Sequence, residues 1–362
     1  MRPRTAAAVL SLVALMAMRV GVHARQDQRA ALLATPPIDH YLEALRQQAG
    51  IPGLSAVVVQ DGEIVWDRGF GFENVESRVR ATPDTPYYVG GLSQSIAAVL
   101  LLQCVEQKRL SLNDPVRKFG IEFPEQSATL RHVLSHSSAG TPGATYRYAP
   151  ERYAELSKVM EWCAPQPYRK SVAHRILERL AMQNSVPGSD LKNPGVVSED
   201  LFDIEDLERY RRVIDRVAVP YRVEGRNRAV RSELPAPEGI NAATGLISTA
   251  RDLGEFDRAL EAAWFLLEET RAEAWSPRTA ADGTAMPTGL GWFVQQYRGE
   301  PVVWQYGSIP NAYSSMILKL PNRRVTIILL ANSDGLAVPF NLSEGDVTRS
   351  LFATLLLRLF IS

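Results

Sequence analysis

The sequence predicts an α+β fold in which one antiparallel sheet, built from both chain ends, is flanked by helices and an all-helical subdomain is inserted between the ends. The first observation is "LSAVVVQDGEIVWDRGFGF", where two apolar runs meet at Asp61-Gly62, a strong hairpin signal. The second is "YSSMILKLPNRRVTIILLAN", a hairpin that turns at Pro321-Asn322 near the other end. The third is the helical periodicity of the sequence between them. Strands at both ends around a helical middle favour a single shared sheet.

The helical middle begins with "YYVGGLSQSIAAVLLLQCVEQ", which reads as a short strand, a glycine pair and a buried helix. Further helices are indicated by apolar residues at helical spacing. The helices that we expect are Leu92–Lys108, Glu151–Trp162, Ala173–Ala181, Glu199–Asp215 and Ala250–Leu266. The region from Val186 to Glu238 is richer in charge, proline and glycine and carries an apparent insertion, and apart from the helix expected over Glu199–Asp215 it is the hardest region to interpret.

The amino terminus has the features of an export signal. Residues 1–24 place Arg2 and Arg4 ahead of an apolar run too short to span a bilayer comfortably, and end in a Val-His-Ala step that suits signal peptidase. We therefore expect cleavage and a periplasmic or secreted protein. An uncleaved anchor is the alternative, although Arg19 interrupts the apolar run. No later segment has transmembrane length.

Length and composition permit one large domain after this signal. The chain has 362 residues with 46% hydrophobic content, which is ample for a packed core. The expected organisation is a signal peptide over 1–24, an extension over 25–35 and one domain over 36–362, whose helical subdomain lies roughly within 92–240.

Charge argues against a nucleic-acid partner. Cleavage would remove three arginines and no acid, leaving 37 basic against 40 acidic side chains, or a net charge of −3. A near-neutral chain without a basic run is a poor candidate for binding nucleic acid.

Two cysteines, Cys104 and Cys163, lie within apolar helical patterns. Export would permit a disulfide between them. Because sequence alone cannot show that their Cα atoms approach each other, we expect two buried thiols instead.

Five blocks of sequence carry a resemblance to a known family. They are "IPGLSAVVVQDGEIVWDRGFGFENVES", "RLSLNDPVRKF", "LRHVLSHSSAG", "GINAATGLISTARDLGEF" and "GLGWFVQQYRG". In these blocks and in their order, the chain resembles the penicillin-recognising serine hydrolases, which include class C-like β-lactamases, DD-peptidases and related esterases. The resemblance covers nearly all of residues 36–335. It implies a β-lactamase/DD-peptidase-like fold with its site in a cleft between the sheet and the helical subdomain.

The family's chemistry requires three motifs, and this chain departs from each of them. A Ser-x-x-Lys at a helix start supplies the nucleophile and base, but the corresponding residues are Gly91 and Gln94. A Tyr-x-Asn corresponds to Tyr148 and Pro150, so only the tyrosine survives as a catalytic residue type. A Lys-Thr-Gly or His-x-Gly on the edge strand corresponds in "VVWQYGSIPNAYSS" to Gln305 and to Gly307, with Ser308 after it.

These substitutions predict a pseudoenzyme that binds a ligand in the former active-site cleft. We expect Gly91, Gln94, Tyr148, Gln305, Gly307 and Ser308 to form the binding site. Candidate ligands are cell-wall peptides, small acylated or amide-bearing molecules, or a partner's extended segment. The lost hydroxymethyl group should leave a slightly larger, uncharged pocket. No cofactor is implied, and the sequence says nothing about oligomeric state.

Two other functions stay open. One is an active hydrolase of esters or amides that uses Tyr148, a water or an unrecognised nucleophile. The other is a purely structural role, in which side chains fill the cleft.

Three further patterns suggest chemistry but have simpler interpretations. "GLSQS" resembles a nucleophile elbow around Ser93, yet no histidine follows late in the chain, and we expect Ser93 to cap or pack at the helix start. Ser189 and Lys192 form a literal Ser-x-x-Lys, but between loop residues. His132 and His136 have the spacing of metal ligands on one helix face, but "HSSAG" breaks that helix, so we expect a hydrogen-bonded histidine and no metal site.

Overall fold

A computed structural model describes residues 37–193, 195, 201–225, 228–236 and 238–361. The expected export signal over 1–24 and extension over 25–35 lie outside the described residues. The first helix, α1 (Pro37–Gln48), crosses the boundary between two compact units, one ending at Ala44 and one running from Leu45 onward. The elements that follow α1 all lie in the second unit.

One antiparallel sheet joins the two ends of the chain, as the paired hairpins predict. Among the described residues it contains seven strands in the order β3-β2-β1-β12-β11-β10-β9. The central pairing is between β1 and β12, with Leu54 opposite Ala331. The strands of this sheet are β1 (Gly53–Gln60), β2 (Glu63–Asn74), β3 (Val79–Arg80), β9 (Phe293–Tyr297), β10 (Glu300–Ile309), β11 (Tyr313–Leu320) and β12 (Val325–Ala331).

The first hairpin turns at the two residues that the sequence indicates. Asp61 and Gly62 have positive φ angles of 52° and 80°, the backbone that a tight two-residue hairpin turn requires and that Asp-Gly readily adopts. The two strands that flank this turn, β1 and β2, pair from Gln60 and Glu63 onward. Local turn chemistry therefore fixes the register at this end of the sheet.

The helices largely follow the predicted order, with shorter bounds. The segment predicted over Glu151–Trp162 is two helices, and the one predicted over Ala173–Ala181 is a π-helical turn over Ala173–Glu178. After α1 the helices are α2 (Ser93–Glu106), α3 (Leu130–Leu134), α4 (Pro150–Ala154), α5 (Leu156–Cys163), α6 (Tyr168–Val172), α7 (Ile204–Asp215), α8 (Ala250–Glu261), α9 (Glu268–Ala274) and α10 (Leu351–Phe360).

The insertion from Val186 to Glu238 contains more structure than its composition suggests. Its strand β5 (Val186–Pro187) pairs with β8 (Leu246–Ser248), which also pairs with β4 (Tyr87–Tyr88). Further along, β6 (Tyr221–Glu224) and β7 (Arg228–Arg231) form a separate hairpin. The insertion thus adds a strand to the small sheet that contains β4, which lies just before α2.

A buried ionic cluster ties α8 to the sheet. The Lys319 side chain on β11 is fully buried and pairs with Asp257, while its ammonium lies 2.8 Å from a Glu261 carboxylate oxygen. Burial alone would lower the pKa of Lys319, but the two carboxylates outweigh it and hold that pKa above its usual value. Both carboxylates belong to α8, so this cluster fixes the helix against the strands.

A disulfide links α2 to α5, and the expectation of two free thiols was wrong. Cys104 and Cys163 are bonded, with their Cα atoms 6.5 Å apart. The two helices pack side by side, which brings the cysteines within bridging range. Their proximity arises from tertiary packing across 59 residues, which the local sequence pattern does not encode.

Within the part of the chain that the structure describes, no helix is both long enough and apolar enough to cross a membrane.

Removing the disulfide should destabilise the fold measurably. Closing a loop of this length restricts the unfolded chain, so the double variant Cys104→Ser/Cys163→Ser should lose about 2–4 kcal/mol of unfolding free energy. Urea titration of the oxidised protein, the reduced protein and the variant measures this difference. Reduced protein and variant should agree. Two reactive thiols in the denatured, unreduced protein would contradict the assignment.

Candidate active-site cleft

The amino-terminal end of α2 forms the floor of the candidate site. A 3₁₀ turn over Gly90–Leu92 leads directly into the helix, and its Gly90 has a positive φ of 52°. This turn packs against β10 of the sheet. The helix behind it is apolar on all sides and buried, so the core holds its first residues in place.

Position 91 has no room for a side chain. A Cβ atom built on Gly91 would lie 2.5 Å from the carbonyl oxygen of Tyr306, a main-chain atom of β10. The next nearest group, the Tyr148 hydroxyl, would be 3.4 Å away. The expectation of a slightly larger pocket here was therefore wrong, because the β10 backbone occupies the space that a side chain would need.

Gln94 is the centre of a chain of neutral hydrogen bonds. Its amide nitrogen donates to the Tyr148 hydroxyl oxygen at 3.0 Å, and its amide oxygen lies 2.9 Å from Nε2 of His136. Nδ1 of His136 accepts from the main-chain N–H of Ala149 at 3.2 Å. Since Nδ1 is an acceptor, Nε2 carries the proton and donates to Gln94.

Burial keeps this network uncharged. Desolvation lowers the pKa of His136 to about 3, so its imidazole is neutral near neutral pH. Desolvation also raises the pKa of Tyr148, outweighing the hydrogen bonds from Gln94 and Tyr306 that favour its ionised form. Tyr148 therefore remains a phenol.

A cleft of about 310 Å³ opens above this floor, at the small end of the range for ligand pockets. Pro150 begins α4, a position that tolerates its missing N–H, and lies on the cleft wall. The residues lining the cleft are Gly90, Gly91, Gln94, Tyr148, Pro150, Glu151, Ala154, Asn241, Ala243, Thr244, Tyr306 and Ser308.

The structure thus brings together four of the six expected binding residues and places the other two beneath the cleft. Gln305 is fully buried, and its amide donates to the Gly291 carbonyl oxygen at 3.3 Å. Gly307 faces the core, where a Cβ atom would lie 2.0 Å from the Val89 carbonyl oxygen. Neither residue is part of the cleft lining.

Tyr306 is a cleft residue that the sequence analysis missed. It lies between Gln305 and Gly307, and alternate strand residues point to opposite faces of a sheet. Its ring is 5.7 Å from the Tyr148 ring and 6.1 Å from Trp304, which is on the same face. Trp304 and Tyr306 are two positions apart on β10, and this alternation was the sequence signal that could have identified Tyr306.

The remaining chemical candidates have structural roles. The Ser93 hydroxyl is buried without a hydrogen-bond partner and makes no cap, so Ser93 packs. Ser189 accepts from the Glu238 N–H at 3.0 Å, and Lys192 pairs with Asp215. His132 accepts from the Thr129 N–H in a capping box at the start of α3. Among the described residues, no cluster of three or more His, Cys, Asp or Glu side chains could hold a metal ion.

Among the described residues, larger depressions also lie away from these motifs, including one of about 470 Å³ beside Arg231. Another, of about 540 Å³, is lined by Arg209 and Arg212, each of which lies near an acidic side chain. A third, of about 520 Å³, includes Arg258 and Arg324, which are similarly paired. The cleft at Gly91 is lined by residues at the motif positions and lies over the hydrogen bonds centred on Gln94, so it is the candidate site.

Comparison with known proteins agrees with this fold. Residues 38–343 match the Beta-lactamase family profile. The protein called "Protein flp" of Staphylococcus aureus (strain MW2) is 21% identical over 352 residues, an alignment that covers 83% of this chain and 64% of that relative. The chain thus spans less than two thirds of the relative's own length.

Two solved structures have the same fold. The octameric penicillin-binding protein homologue from Pyrococcus abyssi superposes with a TM-score of 0.70 at 23% identity, covering 88% of this chain and 77% of that one. The D-amino acid amidase from Ochrobactrum anthropi SV3, solved with L-phenylalanine amide, gives a TM-score of 0.66 at 18% identity, covering 87% and 97%. At these identities the likeness shows fold alone.

Adding a methyl group at position 91 should destabilise the protein. Gly91→Ala places a Cβ atom against the Tyr306 carbonyl oxygen, so β10 or the 3₁₀ turn must shift, at a cost of about 1–3 kcal/mol. Gly225→Ala is the matched control, since no atom of the described residues lies within 4 Å of its added Cβ. Chemical denaturation of both variants tests the difference. Equal stability of the two would show that the backbone contact is not restrictive.

Stability should fall in acid because of His136. Between the unfolded pKa of about 6.5 and the folded pKa of about 3, the unfolded chain binds a proton that the folded protein excludes. Stability from this group is therefore complete above pH 6.5 and declines as pH falls, by about 3 kcal/mol at pH 4.

The comparison that isolates this effect uses His136→Gln and, as a control, the half-exposed His174→Gln. Unfolding free energies measured from pH 7 to pH 4 should decline less steeply for the first variant than for the wild-type protein. The control should keep the wild-type slope. Parallel curves for all three proteins would contradict a neutral, buried His136.

Proposed function

The chain belongs to the Beta-lactamase family, and from that premise we propose that it is an exported member that no longer forms an acyl-enzyme and instead binds a small ligand in the cleft. The observation that carries this proposal is the main-chain contact at Gly91. The family's nucleophile position has neither a reactive side chain nor, with the Tyr306 carbonyl oxygen 2.5 Å from its Cβ site, the space for one.

The rest of the cleft supports the same conclusion. Gln94 has no titratable proton near neutral pH, and its amide already forms hydrogen bonds with His136 and Tyr148. Tyr148 is the remaining hydroxyl at a motif position, but desolvation raises its pKa, which makes it a poor nucleophile or base. The neutral network is suited to holding a ligand rather than to transferring protons.

The open cleft supports binding over a purely structural role. Polar groups at its edge, including the hydroxyls of Thr244 and Ser308, make no hydrogen bond to another described residue. Such groups can satisfy a ligand's amide without a change in the scaffold.

Export is supported by two features. The disulfide between Cys104 and Cys163 is typical of proteins that fold in an oxidising compartment. The sequence of residues 1–24 has the pattern of a secretory signal. Expression with this leader, followed by amino-terminal sequencing of the exported protein, tests the assignment.

The loss of acylation can be tested by intact mass. Purified protein is incubated separately with a β-lactam and a fluorophosphonate, with an active serine hydrolase as the reagent control. We expect no added mass on this chain. An adduct would overturn the proposal, and peptide mapping together with the Tyr148→Phe variant would identify the nucleophile.

Ligand binding is tested with N-acetyl-leucine amide, a small neutral amide. We expect saturable NMR shifts of cleft residues, and their loss in Ser308→Phe, whose ring would fill the cleft. Gln296→Phe on the exposed edge strand β9 is the control and should retain binding. If the amide causes no shift, or if Ser308→Phe leaves the shifts intact, the cleft is not the binding site for this class of ligand.

A further inference from the structure

The charge of the cleft lining limits the ligands that the cleft can hold. Of the residues that line it, none is Lys, Arg or His, and one, Glu151, is acidic. A ligand carboxylate would therefore meet no cation there and would lie near a negative charge. Glu151 is exposed, and at short range its repulsion still favours ligands without a carboxylate.

The Glu151 carboxylate is also without a partner. No side chain within the described ranges forms an ion pair or hydrogen bond with it. Desolvation is the main cause of the raised pKa of Tyr148, and the charge of Glu151 raises that pKa further. On the same short helix, by contrast, Arg152 is held by Glu125 at 2.7 Å and by the Ser138 carbonyl oxygen at 3.0 Å. The Arg152 guanidinium is therefore already paired away from the cleft, whereas the Glu151 carboxylate is not paired within the described residues.

A hydrogen-bond donor belongs to the same cleft lining. The Tyr148 oxygen accepts from the Gln94 amide at 3.0 Å, and Tyr148 lines the cleft. A phenol hydroxyl can accept one hydrogen bond and donate another, so its proton can be donated to a ligand carbonyl oxygen.

We propose that the cleft recognises a small molecule or chain end with a primary ammonium group next to an uncharged amide, with the ammonium paired to Glu151 and the amide carbonyl facing Tyr148. This inference rests on the proposed function, because it names the ligand class of the same cleft. It excludes ligands whose recognised end is a carboxylate. An acidic residue that only favours the start of α4 is the alternative role of Glu151.

The test uses three compounds that share one side chain and differ in charge, each as D and L enantiomers. Leucine amide is a cation, N-acetyl-leucine amide is neutral, and N-acetyl-leucine is an anion. Dissociation constants come from NMR titration of the full chain at low salt. We expect the cation to bind about fivefold more tightly than the neutral amide, an advantage that added salt reduces, and the anion to bind most weakly.

The variant Glu151→Gln separates recognition from stability. It should remove the advantage of leucine amide over N-acetyl-leucine amide, measured as the ratio of their two dissociation constants in the same protein. Glu155→Gln removes a carboxylate that pairs with Lys158 outside the cleft, and it should keep the advantage. Thermal unfolding of both variants confirms that each is folded at the titration temperature.

The outcomes distinguish the two proposals. If none of the compounds binds up to its solubility limit, both the binding function and the ligand class are overturned. If the three bind equally, or the anion binds best, the cleft is a binding site but the ammonium assignment is wrong. If Glu151→Gln and Glu155→Gln weaken leucine amide alike, the preference comes from the general negative field and not from Glu151.

Discussion

The arrangement of the whole cleft depends on how closely strand β10 approaches the start of α2. The Tyr306 carbonyl oxygen occupies the space where a side chain at position 91 would begin, and Gly307 similarly packs its main chain against Val89. Two glycines across one contact allow backbone to pack on backbone, which no other residue pair would permit at this distance. The missing nucleophile is therefore a property of main-chain packing as well as of residue type.

This contact explains why the polar groups behind it are neutral. A buried lysine beside a tyrosine would need a compensating anion or a lowered pKa, whereas Gln94 offers an acceptor to His136 and a donor to Tyr148. Each hydrogen bond in the series from the Ala149 N–H to the Tyr148 oxygen joins two uncharged groups. The one acidic residue of the cleft lining, Glu151, is exposed to solvent.

Much of the fold was predictable because local chemistry determines it. Asp61-Gly62 specifies a turn, the alternating apolar runs specify strands, and the motif positions around Gly91 and Tyr148 follow from element order. The disulfide was not predictable, since it depends on how α2 and α5 pack. Tyr306 was missed for a similar reason: residues alternate along a strand, but only the tertiary position of β10 decides which alternate set faces the cleft.

The disulfide between Cys104 and Cys163 also determines how the cleft can open. The covalent loop that it closes carries three residues of the cleft lining, Tyr148, Pro150 and Glu151, together with His136 behind them. While the bond is intact, this part of the lining can separate from α2 only as far as the tether allows. After reduction, the same segment could unfold locally while the central sheet stays folded, which would expose it to proteases first. Resistance of this segment to proteolysis would then report the redox state of its surroundings.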